Sequence, residues 1–116
     1  MRFKQEFSLH SRREEAYRVL QKYPDRVPII CEKSFHSKSD CPDIDKRKYL
    51  VPKDLTMGQF LYVIRKRLRL GPEKGLFLFT GNTIAPSSAL VYEIYSNYSE
   101  NDGFLYITYD FENVFG

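Results

Sequence analysis

The sequence predicts an α+β fold: a sheet of four strands with a crossover helix, preceded by two N-terminal helices. Apolar residues recur at helical spacing in two long stretches, and four short stretches are rich in β-branched and aromatic residues. After the first third of the chain, stretches with a strand pattern and stretches with a helix pattern follow one another along the sequence. The 116 residues, 42% of them apolar, predict one compact domain over residues 1–116.

Residues 1–23 are predicted to form a helical subdomain. Residues 2–8 can form a short helix, with Phe3 and Phe7 four positions apart on one face. A longer helix is expected after Ser11, the candidate N-cap, and a proline stops it after residue 23. Its apolar positions follow helical spacing: Ala16, Val19, Leu20 and Tyr23.

The sheet is predicted to begin with a hairpin. Residues 27–33 form a strand rich in β-forming residues, and Pro28 near its start indicates either an edge strand or a strand end. A polar connection leads to a second strand over residues 48–51, which Pro52 ends. The two strands are expected to pair antiparallel across this long loop.

The crossover helix has the clearest sequence signal. Thr56 and Gln59 form a capping box, after which apolar residues recur on one helix face. A strand over residues 76–80, a short helix over 89–95 capped by the preceding serines, and a strand over 104–109 follow. A hairpin, a crossover helix and further strands on one sheet make a β-grasp core over residues 27–110.

The charge pattern favours acidic partners. The formal net charge is only +3, but basic residues cluster at 12–13, 46–48 and 65–67. An acidic protein segment or an anionic membrane surface fits such clusters, whereas no nucleic-acid-binding motif is present and no specific nucleic acid is expected. The sequence has no signal-peptide pattern and no apolar run of membrane-spanning length, so we expect a cytoplasmic protein.

The two cysteines do not indicate a catalytic or metal site. Cys31 lies in an apolar stretch and is expected to be a buried thiol, whereas Cys41 lies in the polar stretch SKSDCPD and is expected to be exposed. Together with His36 they match no zinc spacing, and no cofactor is expected. A hydrolase that uses Cys41 is the enzymatic alternative, but Cys41 has no positioned base, and we expect no enzymatic activity.

Four ordered motifs resemble the autophagy-related ubiquitin-like modifiers, a family that includes the GABA-receptor-associated protein. They are YPDRVP at 23–28, DKRKYLVP at 45–52, DLTMGQF at 54–60 and IRKR at 64–67. The resemblance runs through nearly the whole chain and implies a ubiquitin-like β-grasp fold with two N-terminal helices. Relative to the GABA-receptor-associated protein, the segment between Phe3 and the long helix is two residues shorter, and the loop between the first two strands is two residues longer.

The resemblance implies a protein modifier rather than an enzyme. Residues 111–116 would be a conjugation tail, in which Gly116 is exposed by a protease, activated, and joined to phosphatidylethanolamine. Activating, conjugating and processing enzymes would be its partners, and the lipidated form would move from the cytoplasm to the autophagosome membrane. The alternative is a non-lipidated peptide-binding or cytoskeletal adaptor of the same fold.

The resemblance also implies binding of peptides with an aromatic-x-x-aliphatic motif, as found in cargo receptors and adaptors. Residues 47–51 would provide the strand edge, and alternation along that strand would direct its side chains into two pockets. The aromatic pocket would be lined by Glu15, Val19, Pro28, Ile30, Lys48, Leu50 and Phe104. The aliphatic pocket would be lined by Tyr49, Val51, Pro52, Leu55, Phe60 and Val63. Basic residues would favour acidic residues beside the motif: Arg26, Lys46, Arg47, Lys48 and Arg67.

Overall fold

The computed structural model describes residues 1–35, 37 and 40–112. The helices and strands follow in this order: α1 Arg2–Glu6, α2 Leu9–Lys22, β1 Arg26–Lys33, β2 Lys48–Pro52, α3 Met57–Leu68, β3 Leu76–Thr80, β4 Thr83–Ile84, α4 Val91–Tyr98 and β5 Leu105–Phe111. The sheet has the strand order β2-β1-β5-β3-β4. β1 pairs antiparallel with β2 and parallel with β5, and β3 is antiparallel to both β5 and β4. This arrangement confirms the predicted fold class and adds one short strand to the sheet.

The unpredicted strand β4 contains only two residues. Thr83 lies opposite Thr80, and Ile84 lies opposite Phe79. In the turn before β4, Gly81 adopts a positive φ of 61°, a conformation that glycine tolerates without strain. Two residues are too few to show an alternating pattern, so this strand could not be recognised from the sequence.

The predicted start of α4 was wrong because the preceding residues bind another element. Ser87 was expected to cap this helix, but the Ser87 carbonyl accepts the Gly58 N–H at 2.9 Å, and the Ala89 carbonyl accepts the Met57 N–H at 2.8 Å. These contacts attach residues 87–89 to the first turn of α3. The helix therefore starts at Val91, and the Glu93 carboxylate accepts the N–H of the N-cap residue Leu90 at 3.2 Å.

The N-terminal helices exist as predicted, but they meet at a different residue. Ser8, rather than Ser11, is the N-cap of α2, because the Ser8 hydroxyl accepts the Ser11 N–H at 3.1 Å. Phe7 has an extended backbone and ends α1, and its N–H donates to the Phe3 carbonyl. A two-residue junction at positions 7 and 8 therefore separates the helices.

The proline in β1 marks a strand end, not a sheet edge. β1 lies between β2 and β5, so the edge alternative for Pro28 was wrong. Pairing between β1 and β5 begins at Ile29, opposite Leu105, which leaves Pro28 before that ladder. The missing N–H of Pro28 therefore costs no bond in the ladder with β5.

The sheet has a packed layer on each face. α3 covers one face, and its capping box forms as predicted: the Thr56 hydroxyl accepts the Gln59 N–H at 3.1 Å, and the Gln59 side chain accepts the Thr56 N–H at 2.9 Å. The smaller core on the other face lies under α1 and α2. Its buried members are Phe3, Ala16, Ile30, Phe104 and Tyr106.

A buried charge clamp fixes α2 against the turn before β5. Arg12 Nη1 donates to Asp102 Oδ2 at 2.6 Å, and the Tyr106 hydroxyl donates to the same oxygen at 2.5 Å. Burial raises the pKa of the Tyr106 hydroxyl well above its usual range, with the hydrogen bond to Asp102 adding to the effect. Gly103 has a φ of 91°, and a Cβ there would lie 2.9 Å from the Ala16 Cβ, so this turn requires glycine.

Candidate functional site

β2 has an open hydrogen-bonding edge. It is the terminal strand of the sheet, with β1 as its one neighbour among the described strands. The Cys31 N–H donates to the Arg47 carbonyl at 2.8 Å, and in an antiparallel ladder such pairs alternate with pairs that exchange no hydrogen bond. Lys48 and Leu50 therefore direct their backbone N–H and C=O groups away from β1. Arg26 Nη1 lies 3.4 Å from the Leu50 carbonyl, a long contact that leaves this edge accessible.

The side chains of β2 alternate between the two faces of the sheet. Tyr49 and Val51 are only 7% and 9% exposed and belong to the main core under α3, whereas Lys48 is exposed and Leu50 half-buried on the opposite face. The Tyr49 ring packs edge-on against Phe60, with 5.4 Å between the ring centroids. One strand therefore places side chains on both faces of the sheet, as its sequence pattern predicts.

The residues expected in the aromatic pocket come from α2, β1, β2 and the residue just before β5. Leu50 lies opposite Pro28, and Lys48 lies opposite Ile30, so these four share the face that α1 and α2 cover. Lys48 Nζ lies 2.9 Å from Glu15 Oε2, an ion pair that joins β2 to α2. Pro28, Ile30 and Phe104 are buried and would form the floor of the expected pocket, whereas Glu15, Val19, Lys48 and Leu50 are accessible and would form its rim.

The residues expected in the aliphatic pocket divide in the same way. Tyr49, Val51 and Phe60 are buried within the main core. The accessible members are Pro52, Leu55 and Val63, of which Leu55 packs partly against that core. The Leu55 carbonyl also accepts the Val91 N–H at 2.7 Å, which fixes this end of the site to α4.

Most of the expected cations already have a partner. Arg67 donates to both carboxylate oxygens of Asp45, at 3.1 and 3.4 Å, and Lys48 is paired with Glu15. Lys46 forms no ion pair with any described residue, and its ammonium lies 5.1 Å from the centroid of the Tyr49 ring. Lys46 can therefore pair with an acidic residue of a bound peptide without breaking an existing salt bridge.

Arg47 is less accessible than the sequence suggests. It contacts both Glu6 and Glu32, and its guanidinium carbon lies 5.3 Å from the Phe3 ring centroid. The Glu32 carboxylate also accepts the Phe3 N–H at 3.2 Å. Arg47 therefore holds α1 onto the sheet beside the site, through partners that its position in a basic run does not reveal.

The prediction that Cys41 is exposed was wrong. Its side chain is 2% exposed and belongs to the main core, and burial raises the pKa of its thiol to about 11. Two hydrogen bonds hold its loop inward: Lys33 Nζ donates to the Cys41 carbonyl at 3.1 Å, and the Tyr109 hydroxyl donates to the Pro42 carbonyl at 2.6 Å. A buried thiol that resists ionisation is a poor nucleophile.

The C-terminal tail begins beside β3. β5 extends to Phe111, two residues beyond the predicted strand, because Phe111 pairs with Leu76. The Glu112 N–H then donates to the Gly75 carbonyl at 3.0 Å. Gly116, the expected conjugation residue, lies outside the described residues. In the part of the chain that the structure describes, no helix has the length and apolar content needed to cross a membrane.

Comparison with known proteins identifies the family. The family model described as "Autophagy protein Atg8 ubiquitin like" matches residues 11–116. "Autophagy-related protein 8" of Schizosaccharomyces pombe is 55% identical over 114 residues, covering 98% of this chain and 93% of that protein. "Autophagy-related protein 8d" of Arabidopsis thaliana is 53% identical with the same coverage. The crystal structure of Trypanosoma brucei ATG8 superposes with a TM-score of 0.90 at 46% identity, covering 97% of this chain and 95% of that one. The chain therefore belongs to the Atg8 family of ubiquitin-like autophagy proteins.

Proposed function

We propose that this protein is a modifier conjugated through Gly116 to phosphatidylethanolamine on autophagosomal membranes, where it recruits cargo receptors and adaptors. Membership of the Atg8 family supports a ubiquitin-like role in autophagy. The observation that carries the recruiting role is the open edge of β2, with one set of side chains on each face of the sheet. A strand with these properties can bind an extended peptide by adding it to the sheet.

The peptide would pair with the outward backbone groups of Lys48 and Leu50. Its aromatic side chain would enter between α2 and β2, and its aliphatic side chain would lie among Pro52, Leu55 and Val63. Burying each side chain contributes about 1.5 to 3 kcal/mol, from which the cost of association is subtracted. The expected affinity is weak to moderate, and it rises when cargo or membrane presents several copies.

Lipid conjugation would determine where these peptides are recruited. The amide between Gly116 and phosphatidylethanolamine gives the protein two acyl chains, at about 0.8 kcal/mol per buried CH₂, whereas one chain alone holds a protein only marginally. The free protein would be cytoplasmic, and the conjugate would be held on the membrane. Activating, conjugating and processing enzymes would be the partners for this step.

Mass spectrometry tests the conjugation. The protein is incubated with the activating and conjugating enzymes of the pathway, ATP and phosphatidylethanolamine vesicles, and we expect a mass gain of one lipid less one water. The Schizosaccharomyces pombe relative under the same conditions is the positive control. If the relative gains lipid and this protein does not, the modifier role fails and the non-lipidated adaptor becomes the better explanation.

Amide chemical shifts test the peptide site. A peptide with an acidic residue followed by an aromatic-x-x-aliphatic motif should shift the amide signals of residues 47–51 on titration. Leu50→Ala should weaken binding, because Leu50 supplies a rim of the aromatic pocket, whereas Leu70→Ala removes a half-buried leucine outside the site and should not. Shifts restricted to β3, the strand that contains Phe77 and Phe79, would contradict the assignment of the peptide site to β2.

A further inference from the structure

An aromatic side chain from α1 stands next to the proposed aromatic pocket. Phe3 of α1 is fully buried, and its ring centroid lies 5.4 Å from that of Phe104, part of the pocket floor. Phe7, with its ring centroid 5.1 Å from that of Phe3, is 39% exposed. The first ring completes the small core, and the second continues that aromatic cluster to the surface.

Phe7 also lies beside the exposed rim of the pocket. The Lys48 ammonium is 5.7 Å from the Phe7 ring centroid and 5.5 Å from that of Phe3. On its other side, the same ammonium pairs with Glu15 of α2. Lys48 therefore lies between the rings of Phe3 and Phe7 and a carboxylate of α2, and contacts of this kind stabilise a cation over an aromatic face.

The backbone of Phe7 is held from both sides. Its N–H donates to the Phe3 carbonyl at 3.1 Å, and its carbonyl accepts a hydrogen bond from Arg12 Nε at 3.1 Å. Arg12 is itself anchored by the buried carboxylate of Asp102. A surface aromatic residue with a fixed backbone can meet a ligand at a small entropic cost.

We propose that Phe7 is a wall of the aromatic pocket and selects an aromatic over an aliphatic residue at the first motif position. The incoming ring would pack against the Phe7 ring, and Lys48, held by Phe7, would lie over the pocket. The proposal rests on the peptide-binding half of the proposed function. It adds a residue from the shortened segment between Phe3 and α2, where the family motifs assign no binding role.

A double-mutant cycle in solution tests this wall. Dissociation constants are measured by calorimetry for wild type and Phe7→Ala, each with an acidic aromatic-x-x-aliphatic peptide and with the same peptide carrying leucine at the aromatic position. Loss of an aromatic pair corresponds to about a two- to twelve-fold rise in Kd. We expect Phe7→Ala to cause a rise of this size for the aromatic peptide and a smaller one for the leucine peptide.

The controls separate this proposal from the one on which it rests. Tyr98→Ala removes an aromatic side chain of similar exposure, 47%, at the end of α4, and should leave both constants unchanged. Equal losses for the two peptides with Phe7→Ala, or no loss for either, would overturn the Phe7 wall while peptide binding itself stands. If wild type binds neither peptide, peptide recognition fails and the Phe7 wall fails with it.

Discussion

Gly116→Ala is expected to abolish lipid addition and leave the protein at its unmodified mass. In the proposed reaction, residue 116 is held as a thioester on an enzyme cysteine, and the lipid amine attacks the carbonyl carbon of that thioester. The C–S bond breaks, which releases the cysteine thiol, and an amide C–N bond forms. Glycine has no Cβ, which lets an enzyme approach this carbonyl closely from either side. A methyl group at this position would obstruct each successive enzyme. Intact-protein mass spectrometry after the conjugation reaction measures the loss directly.

The same variant should keep its fold and its peptide site. β5 ends at Phe111, which pairs with Leu76, and the substituted position is five residues further along the sequence. We therefore expect Gly116→Ala to unfold at the same urea concentration as wild type and to give the same peptide-induced amide shifts. Lipid addition that persists in Gly116→Ala would mean that the lipid is attached at a different residue.

Features that depend on neighbouring residues could be predicted from the sequence. The capping box at Thr56 and Gln59 forms because both partners lie within one turn of helix. The two faces of β2 follow from strand alternation alone. The fold class needed only the order of such elements, together with the rule that sequential strands and crossover helices pack on one sheet.

Features that depend on contacts between distant residues could not be predicted. Nothing in the polar stretch around Cys41 shows that Tyr109 will hold the neighbouring Pro42 carbonyl. The serines before α4 resemble a helix cap, but Ser87 binds the first turn of α3 instead. For the candidate site, the family motifs predicted residues on four elements, but only the structure shows that Phe7 lies beside Lys48.

Asp102→Ala is expected to cause a large loss of stability. The Asp102 side chain is completely buried and accepts hydrogen bonds from Arg12, the Tyr106 hydroxyl and the Phe104 N–H. Removing the carboxylate leaves the Tyr106 hydroxyl, the Phe104 N–H and the part-buried Arg12 guanidinium without their acceptor group, and an unsatisfied buried donor costs about 1 to 3 kcal/mol. That is a large part of the roughly 5 to 15 kcal/mol by which such domains are stable. Urea unfolding with and without the substitution measures the difference.

Glu100→Ala is the matched control because it removes an acidic residue two positions away that also binds the N-terminal region. Glu100 pairs with Lys4 of α1 at 2.5 Å, but its side chain is 39% exposed, and such surface pairs contribute about 0 to 1 kcal/mol. Equal destabilisation by the two substitutions would show that the buried clamp has no special role.

Because Arg12 also holds the Phe7 carbonyl, loss of the clamp should release α1 and α2 together. At temperatures where Asp102→Asn remains folded, we therefore expect its affinity for the aromatic peptide to fall, whereas Glu100→Ala should bind like wild type.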